Sequence, residues 1–167
     1  MNTVKGASPI YHLLLEPDIQ NKGYQKWHTQ TQITLDQWLN SFKILKNYTT
    51  DTKLRWLQFR ILHNILTTNR SVAKFKPNQN PLCQFCKSHG ETIHHLLWAC
   101  TKVKTFWNEI SFMINSRCTH THNFRIDENL AIFGQSFQIK TDNICEFIIL
   151  LAKFYIYRSK VQDTVLN

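Results

Sequence analysis

The sequence has few of the residues that make turns and no long apolar run. Gly and Pro number only four each in 167 residues, which argues against a turn-dense β-sandwich or a collagen-like chain. The most apolar segment, residues 147–152, has six residues, whereas a bilayer span needs about 20. We therefore expect no membrane contact. Because no signal peptide is evident at the polar start of the chain, we also expect an intracellular location.

Cysteine is present in an odd number, which argues against a disulfide framework. Five cysteines would leave one thiol over, and a chain without an export signal belongs in a reducing compartment. Three of them, Cys83, Cys86 and Cys100, fall within 18 residues. This clustering favours a metal site over disulfide bridges.

Acidic residues are scarce in the middle of the chain. Residues 51–87 hold seven Lys or Arg and one Asp, a net +6 of the total +9. A basic block of this kind typically faces a polyanion, although a solvated helix face is the simpler alternative. The residues we predict to contact nucleic-acid phosphates are Arg55, Arg60, Arg70, Lys74, Lys76 and Lys87.

Apolar residues recur at helical spacing, so we predict a mostly α fold: a small helical domain with an embedded CCHC zinc knuckle. Thr34 and Gln37 form a capping-box pattern before a helix over residues 35–48. Asp51 is the expected N-cap of a helix that extends to residue 68. Further helices are predicted over residues 91–98, 103–114 and 143–160, and residues 130–133 fit a short strand or a helical turn.

Four segments follow from these patterns: a weakly structured connector (1–33), a basic helical segment (34–80), a zinc-binding segment (81–116), and a polar loop with a C-terminal helix (117–167). Within the basic segment, Trp56, Phe59 and His63 form an aromatic flank that we assign to the core, because aromatic side chains commonly carry burial.

The spacing of four residues predicts one structural zinc ion. Cys83 and Cys86 form a Cys-x2-Cys turn, and a histidine and Cys100 follow within 18 residues. Three thiolates and one imidazole complete a closed tetrahedral site, which leaves no position for a reactive water. On spacing alone His94 and His95 are both candidates, and ordinary buried thiols are the alternative to a metal. We interpret Cys118, His120 and His122 as part of a polar loop.

The stretch Glu91-Thr-Ile-His-His-Leu-Leu-Trp-Ala-Cys100, with Phe106-Trp107 after it, resembles the zinc-binding segment that follows the reverse transcriptase domain in LINE-type (non-LTR) retrotransposon proteins. Residues 53–69 and 149–157 are also similar to that family's flanking segments. The resemblance implies that His95, which directly precedes Leu-Leu, is the fourth ligand. It also implies RNA or DNA as a partner, together with the rest of a reverse transcriptase polypeptide.

A paired-aspartate polymerase site is missing from the sequence. None of the six aspartates adjoins another, so two-metal phosphoryl transfer has no ligands here. We expect a non-enzymatic C-terminal fragment, nuclear in location, that binds nucleic acid and takes no small-molecule substrate. Phe85 or Trp98 could stack on bases, although burial of Trp98 against Trp107 is favoured. The alternative is a zinc-stapled domain that docks on absent reverse transcriptase domains and exposes apolar patches at residues 11–15 and Trp27.

Overall fold

The computed structural model describes residues 21–117, 124–136 and 143–166, with the side chains of 44–48 left out. In this part of the chain the fold is mostly α, as predicted, and its one β-type pairing is an isolated bridge. The elements in chain order are α1 (Lys22–Thr31), α2 (Leu35–Tyr48), α3 (Thr52–Leu62), α4 (Asn69–Ala73), a π-helical turn (His95–Ala99), α5 (Thr101–Arg117), α6 (Glu128–Phe133) and α7 (Asn143–Gln162).

Helix α1 corrects the expectation of a connector before residue 34. The side chain of Asn21 accepts hydrogen bonds from the backbone N–H groups of Gly23 and Tyr24, which caps the helix. Trp27, expected to be exposed, is fully buried, and its Nε1 donates to the Ile61 carbonyl at 2.9 Å. The prediction was wrong because the burial of Trp27 and the close approach of Gly23 to His63 dock this otherwise polar helix. Residues 11–15, the other expected patch, lie outside the described residues.

Helix α2 begins and ends where the sequence predicts. The Thr34 side chain accepts from the Gln37 N–H, and the Gln37 side chain accepts from the Thr34 N–H, so the capping box is complete. Trp38 is buried on the inner face of α2, and its Nε1 donates to the Leu62 carbonyl at 3.1 Å. Two indoles, from α1 and α2, thus satisfy carbonyls of the last turn of α3, which helix geometry leaves without helical partners.

Helix α3 starts at its predicted cap but ends six residues early. The Asp51 carboxylate accepts from the N–H groups of Lys53 and Leu54. At the other end Asn64 adopts a left-handed φ of 55°, and its N–H bonds to the Ile61 carbonyl. The Ile65 N–H bonds to the Arg60 carbonyl, which completes a Schellman motif. The chain therefore leaves the helical path, and Ile65, which a continued helix would place on the same face as the buried Ile61, is 55% exposed.

The core is one continuous cluster built from segments far apart in sequence. Helix α7 packs against α2, α3, α6 and the π-helical turn, and α6, predicted as a strand or helical turn, is helical. The cluster contains residues from Trp27 to Ile156. The segment boundaries at residues 80 and 116 stay predictions. Cys118, His120 and His122 lie outside the described residues. No described helix has the length and apolar content needed to cross a bilayer.

Candidate metal centre

A tight turn presents the first two cysteines. An isolated antiparallel bridge pairs Leu82 with Gly90, and the Cys83 N–H donates to the His89 carbonyl at 2.7 Å. Inside this loop the Lys87 N–H bonds to the Cys83 carbonyl, with Lys87 itself at a φ of 57°. The left-handed residue reverses the chain just after Cys86. Both thiols of the Cys-x2-Cys pattern therefore face the same point.

A π-helical turn presents the other two candidate ligands. The Cys100 N–H bonds to the His95 carbonyl at 2.9 Å, five residues back. In an α-helix, side chains five residues apart point about 140° away from each other. The wider π turn closes on the fifth residue instead, so His95 and Cys100 come to the same side. The backbone irregularity thus makes a five-residue ligand spacing usable.

The four side chains converge on one centre. Cys83, Cys86, His95 and Cys100 each offer a ligand atom, and these atoms all lie within 4.8 Å of one another. The Cys83 and Cys100 sulfurs are 3.8 Å apart, and the Cys86 sulfur is 3.3 Å from His95 Nε2. Tetrahedral zinc with bonds of about 2.0–2.3 Å requires separations of roughly 3.5–3.8 Å between its ligands. The four residues are therefore positioned to bind one metal ion.

His94, the alternative ligand, points elsewhere. Its Nε2 lies 2.8 Å from the Glu128 carboxylate at the start of α6. The neighbouring His95 directs its own Nε2 to Cys86. The directions of the two side chains distinguish the candidates that spacing left open. His94 points towards α6, and His95 points towards the cysteines.

Two of the thiols, Cys86 and Cys100, have lowered pKa values, which favours the thiolate form that binds a metal. Burial opposes ionisation of Cys86, but hydrogen bonds from Ser88, His95 and the His89 backbone outweigh it and lower its pKa to about 5. The hydrogen bond from Cys83 is the largest cause that lowers the pKa of Cys100 to about 6, against the effect of burial. The N–H groups of Lys102 and Val103, at the start of α5, add to it.

The same sulfur contact raises the pKa of Cys83, with burial acting in the same direction. Backbone hydrogen bonds from Phe85 and Cys86 oppose this rise. An ion of charge +2 would favour deprotonation of all three sulfurs.

Glu91 is a buried residue of the site to which the sequence analysis gave no role of its own. Its side chain is 0% exposed, and its carboxylate accepts from the backbone N–H of Gln84, inside the cysteine turn, at 2.9 Å. It also accepts from the Asn69 N–H at 2.8 Å and lies 3.6 Å from Lys160 Nζ. One carboxylate thus joins the knuckle, the start of α4 and the end of α7. The Glu-Thr pair of the quoted motif was the available signal.

The six predicted cations form two groups, one on α3 and the other in the segment from α4 to the knuckle. Arg55 donates to the Thr49 carbonyl at 2.6 Å and Arg60 to the Thr67 hydroxyl at 2.7 Å, so both side chains of α3 also serve their own chain. The other four are exposed and belong to α4, the turn after it and the knuckle: Arg70, Lys74, Lys76 and Lys87. We call these four the knuckle cations. The side chain of Arg70 lies against Gly90 at the base of the knuckle.

Two aromatic residues of α3 are placed differently from the expectation. Trp98 and Phe85 are half-buried and pack against the core, which agrees with the favoured burial of Trp98. Trp56, which we assigned to the core, is 59% exposed, and Phe59 is 36% exposed. That prediction was wrong because Trp56 and Phe59 lie opposite the buried stripe of Leu54, Leu57 and Ile61, a placement that helical periodicity already contains.

A family model described as zinc-binding in reverse transcriptase matches residues 20–107, which is 88 of the 167 residues. The chain belongs to this family. The match covers the whole ligand cluster, in which one imidazole and three cysteine sulfurs are positioned to bind one metal ion. No curated protein and no solved structure gives a significant match. The core of the domain extends past the matched region, because α6 and α7 pack on the π-helical turn.

Proposed function

We propose that this chain is a C-terminal, non-catalytic module of a LINE-type (non-LTR) retrotransposon reverse transcriptase that binds nucleic acid. The observation that carries the proposal is the convergence of four metal ligands in a segment that also carries exposed cations, within it and just before it in sequence. Family membership supports the association with a reverse transcriptase. The LINE-type assignment rests on the residue pattern between Glu91 and Trp107.

A structural role for the zinc follows from the ligand set. Four protein ligands fill a tetrahedral shell, so no position stays open for a substrate or an activated water. The knuckle between residues 82 and 90 has few apolar side chains of its own, and a metal would supply the cross-link that holds its shape. When bound, the ion acts as a staple that fixes the cysteine turn against the π-helical turn.

The basic surface depends on that staple. Lys87 lies in the cysteine turn itself, and Arg70 lies against Gly90. Helix α4 is tied to the knuckle, because the Asn69 side chain donates to the Leu82 carbonyl at 2.9 Å. Loss of the metal would therefore loosen the elements that present the knuckle cations. We propose that these cations contact the phosphates of RNA or DNA.

Absence of polymerase chemistry is supported by the roles of the aspartates. Asp51 and Asp127 cap α3 and α6, and Asp36 lies in the first turn of α2. Asp163 directly follows α7, and Asp18 and Asp142 lie outside the described residues. Scattered caps of this kind provide no pair of carboxylates for two-metal catalysis. A nuclear location is part of the proposal, because the partner would be template RNA or target DNA.

Salt dependence of binding tests the phosphate contacts. If about five phosphates are neutralised, log K should fall against log salt with a slope near −4 for single strands and near −5 for duplex. The triple variant Lys74→Ala/Lys76→Ala/Lys87→Ala should reduce the single-strand slope by about 2, since each phosphate contact contributes about 0.7. The matched control is Lys22→Ala/Lys26→Ala/Lys43→Ala, which removes the same charge from exposed positions on α1 and α2. A wild-type slope near zero would refute the proposal.

Exposed apolar side chains favour a second candidate, docking on other reverse transcriptase domains. Phe112 on α5 is 76% exposed, and Ile144 on α7 is 65% exposed. Surfaces of this kind mark partner contacts when they are contiguous. Aggregation of the isolated chain together with no affinity for RNA would favour this candidate over nucleic-acid binding.

A further inference from the structure

Helix α3 carries an exposed pair of stacked aromatic rings that the zinc site does not use. The ring centroids of Trp56 and Phe59 are 5.3 Å apart, and the ring planes differ by 8°. Trp56 is 59% exposed. Because Phe59 stacks on one face of the indole, the accessible parts of Trp56 are the other face and the edge of its ring. We call these two residues the α3 aromatic pair.

The pair is held in place from behind. Phe59 packs on the ring of His63 with centroids 4.2 Å apart, and on Phe42 of α2 at 6.4 Å. Phe42 packs edge-on against the buried Trp38 at 4.8 Å. A series of ring contacts therefore supports Trp56 from the core side and leaves its other face open. Such a side chain loses little conformational freedom when a ligand stacks on it.

The charged side chains of α3 are all cations. Lys53 and Arg60 are three residues before and four residues after Trp56, so both lie beside it on the same helix face. Arg55 borders the opposite side of the pair. No acidic side chain occurs within α3, and the Asp51 carboxylate is engaged with the helix N–H groups. An open aromatic face flanked by cations is the arrangement that proteins use to hold single strands.

We propose that Trp56 is a stacking platform for an unpaired base of single-stranded nucleic acid, with Lys53 and Arg60 beside the flanking phosphates. The inference rests on the proposed function and adds the kind of strand and a site on α3 separate from the knuckle cations. A duplex keeps its bases stacked on each other, whereas a single strand can offer one to the open indole face. The platform therefore distinguishes single strands from duplex.

The test compares Trp56→Ala with wild type, using the full zinc-loaded chain. The probes are a fluorescein-labelled 12-nucleotide single strand and the blunt duplex of the same sequence, each measured across a salt series. Loss of one base–aromatic stack should raise Kd for the single strand about 5- to 150-fold. Kd for the duplex should change less than about 2-fold, and both salt slopes should stay as in wild type. Phe112→Ala, which removes another exposed ring, is the matched control and should leave both affinities unchanged.

A second readout reports the stack directly. With 2-aminopurine at one position of the single strand, wild type should change its fluorescence on binding and Trp56→Ala should not, while Trp56→Phe should keep part of the change. Zinc content and far-UV circular dichroism equal to wild type show that the variants fold.

Each remaining outcome overturns the inference in an identifiable way. If Trp56→Ala binds both probes as wild type does, the platform is wrong and the proposed function stands. Equal weakening on single strand and duplex would mean that Trp56 does not select unpaired bases. If wild type binds neither probe, the platform and the proposed function fail together. If Trp56→Ala alters only self-association in sedimentation, the pair is a protein contact instead.

Discussion

At the scale of single residues, metal binding depends on the four ligand side chains and their immediate neighbours. Cys83 and Cys100 are fully buried, whereas Cys86 is half-buried. Each sulfur accepts hydrogen bonds from nearby backbone N–H groups. Such donors tune a metal centre by orienting its ligands and stabilising thiolate charge.

Metal content separates the two histidines. Purified wild type should contain one equivalent of zinc, and Cys86→Ser and His95→Ala should each lose most of it, because each removes one of four ligands. His94→Ala is the matched control, since His94 contacts Glu128 instead of the cluster, and it should keep the metal. Metal analysis by mass spectrometry gives the answer. Retention of zinc by His95→Ala and loss by His94→Ala would show that the ligand choice is wrong.

Glu91 should contribute strongly to stability, although it does not belong to the ligand cluster. Glu91→Gln removes a buried charge that two backbone N–H groups and Lys160 share, and its amide N–H2 would face a donor. We expect the free energy of unfolding to fall by about 2 kcal/mol or more, as for other hydrogen bonds to charged groups. Urea denaturation with saturating zinc measures it. Glu109→Gln, at an exposed position on α5, is the control and should change little.

At the scale of secondary-structure elements, helices α1 and α2 both contact the C-terminal end of α3. Tryptophan indoles from α1 and α2 reach its last carbonyls, and Asn64 turns the chain away from the helix. Helix α1 also approaches this point closely through Gly23. A Cβ atom at Gly23 would lie 2.7 Å from the His63 Cα and 2.9 Å from its carbonyl carbon. The helix can dock here only because it lacks a side chain at that position.

Gly23→Ala should therefore separate α1 from α3. The clash is with backbone atoms, which cannot swing aside, so we expect a loss of about 1–3 kcal/mol in unfolding free energy, the usual range for overpacking. Thermal and urea unfolding with bound zinc are the measurements. Gln25→Ala, an exposed change in the same helix, should have almost no effect. Equal stability of Gly23→Ala and wild type would mean that α1 does not pack in this way.

Across the whole molecule, one buried lysine links the helices that form the core. Lys153 of α7 is 0% exposed, and its Nζ donates to Gln58 Oε1 at 2.6 Å and lies 3.4 Å from the Ile132 carbonyl of α6. Gln58 in turn donates to the same carbonyl at 3.0 Å. Burial lowers the pKa of Lys153 to about 7, and the nearby Glu146 carboxylate opposes this effect.

Stability should consequently rise with pH. Between about pH 7 and 10.5 the unfolded chain keeps the Lys153 proton and the folded chain releases it, so raising the pH favours the folded state by up to about 1.4 kcal/mol per pH unit. Below about pH 7 both states hold the proton, and this contribution is constant. Lys153→Met should abolish the rise, which zinc-saturated urea denaturation at a series of pH values would detect. Lys43→Met, on the surface of α2, should keep it. A wild-type stability that is flat or falls over this range would contradict the prediction.

Much of the fold could be predicted because the signals are local. The cap of α2 and the start of α3 depend on side chains that bond to backbone groups within three residues, and the prediction of both was confirmed. The end of α3 and the existence of α1 depend on partners elsewhere in the chain. Trp27 docks on Ile61, 34 residues away, and no local pattern contains that contact.

The amino-acid sequence by itself determined the kind of site: the ligand types, their spacing, the excess of positive charge and the helical periodicity are all properties of neighbouring residues. Spacing left His94 and His95 open and the family resemblance implied His95; the tertiary structure supplied the physical reason, because the direction of a side chain depends on the π-helical turn and on the contact with α6. It also decided that Trp27 is buried. The physical reason is that burial is a property of what packs on a residue, and those partners come from distant parts of the chain.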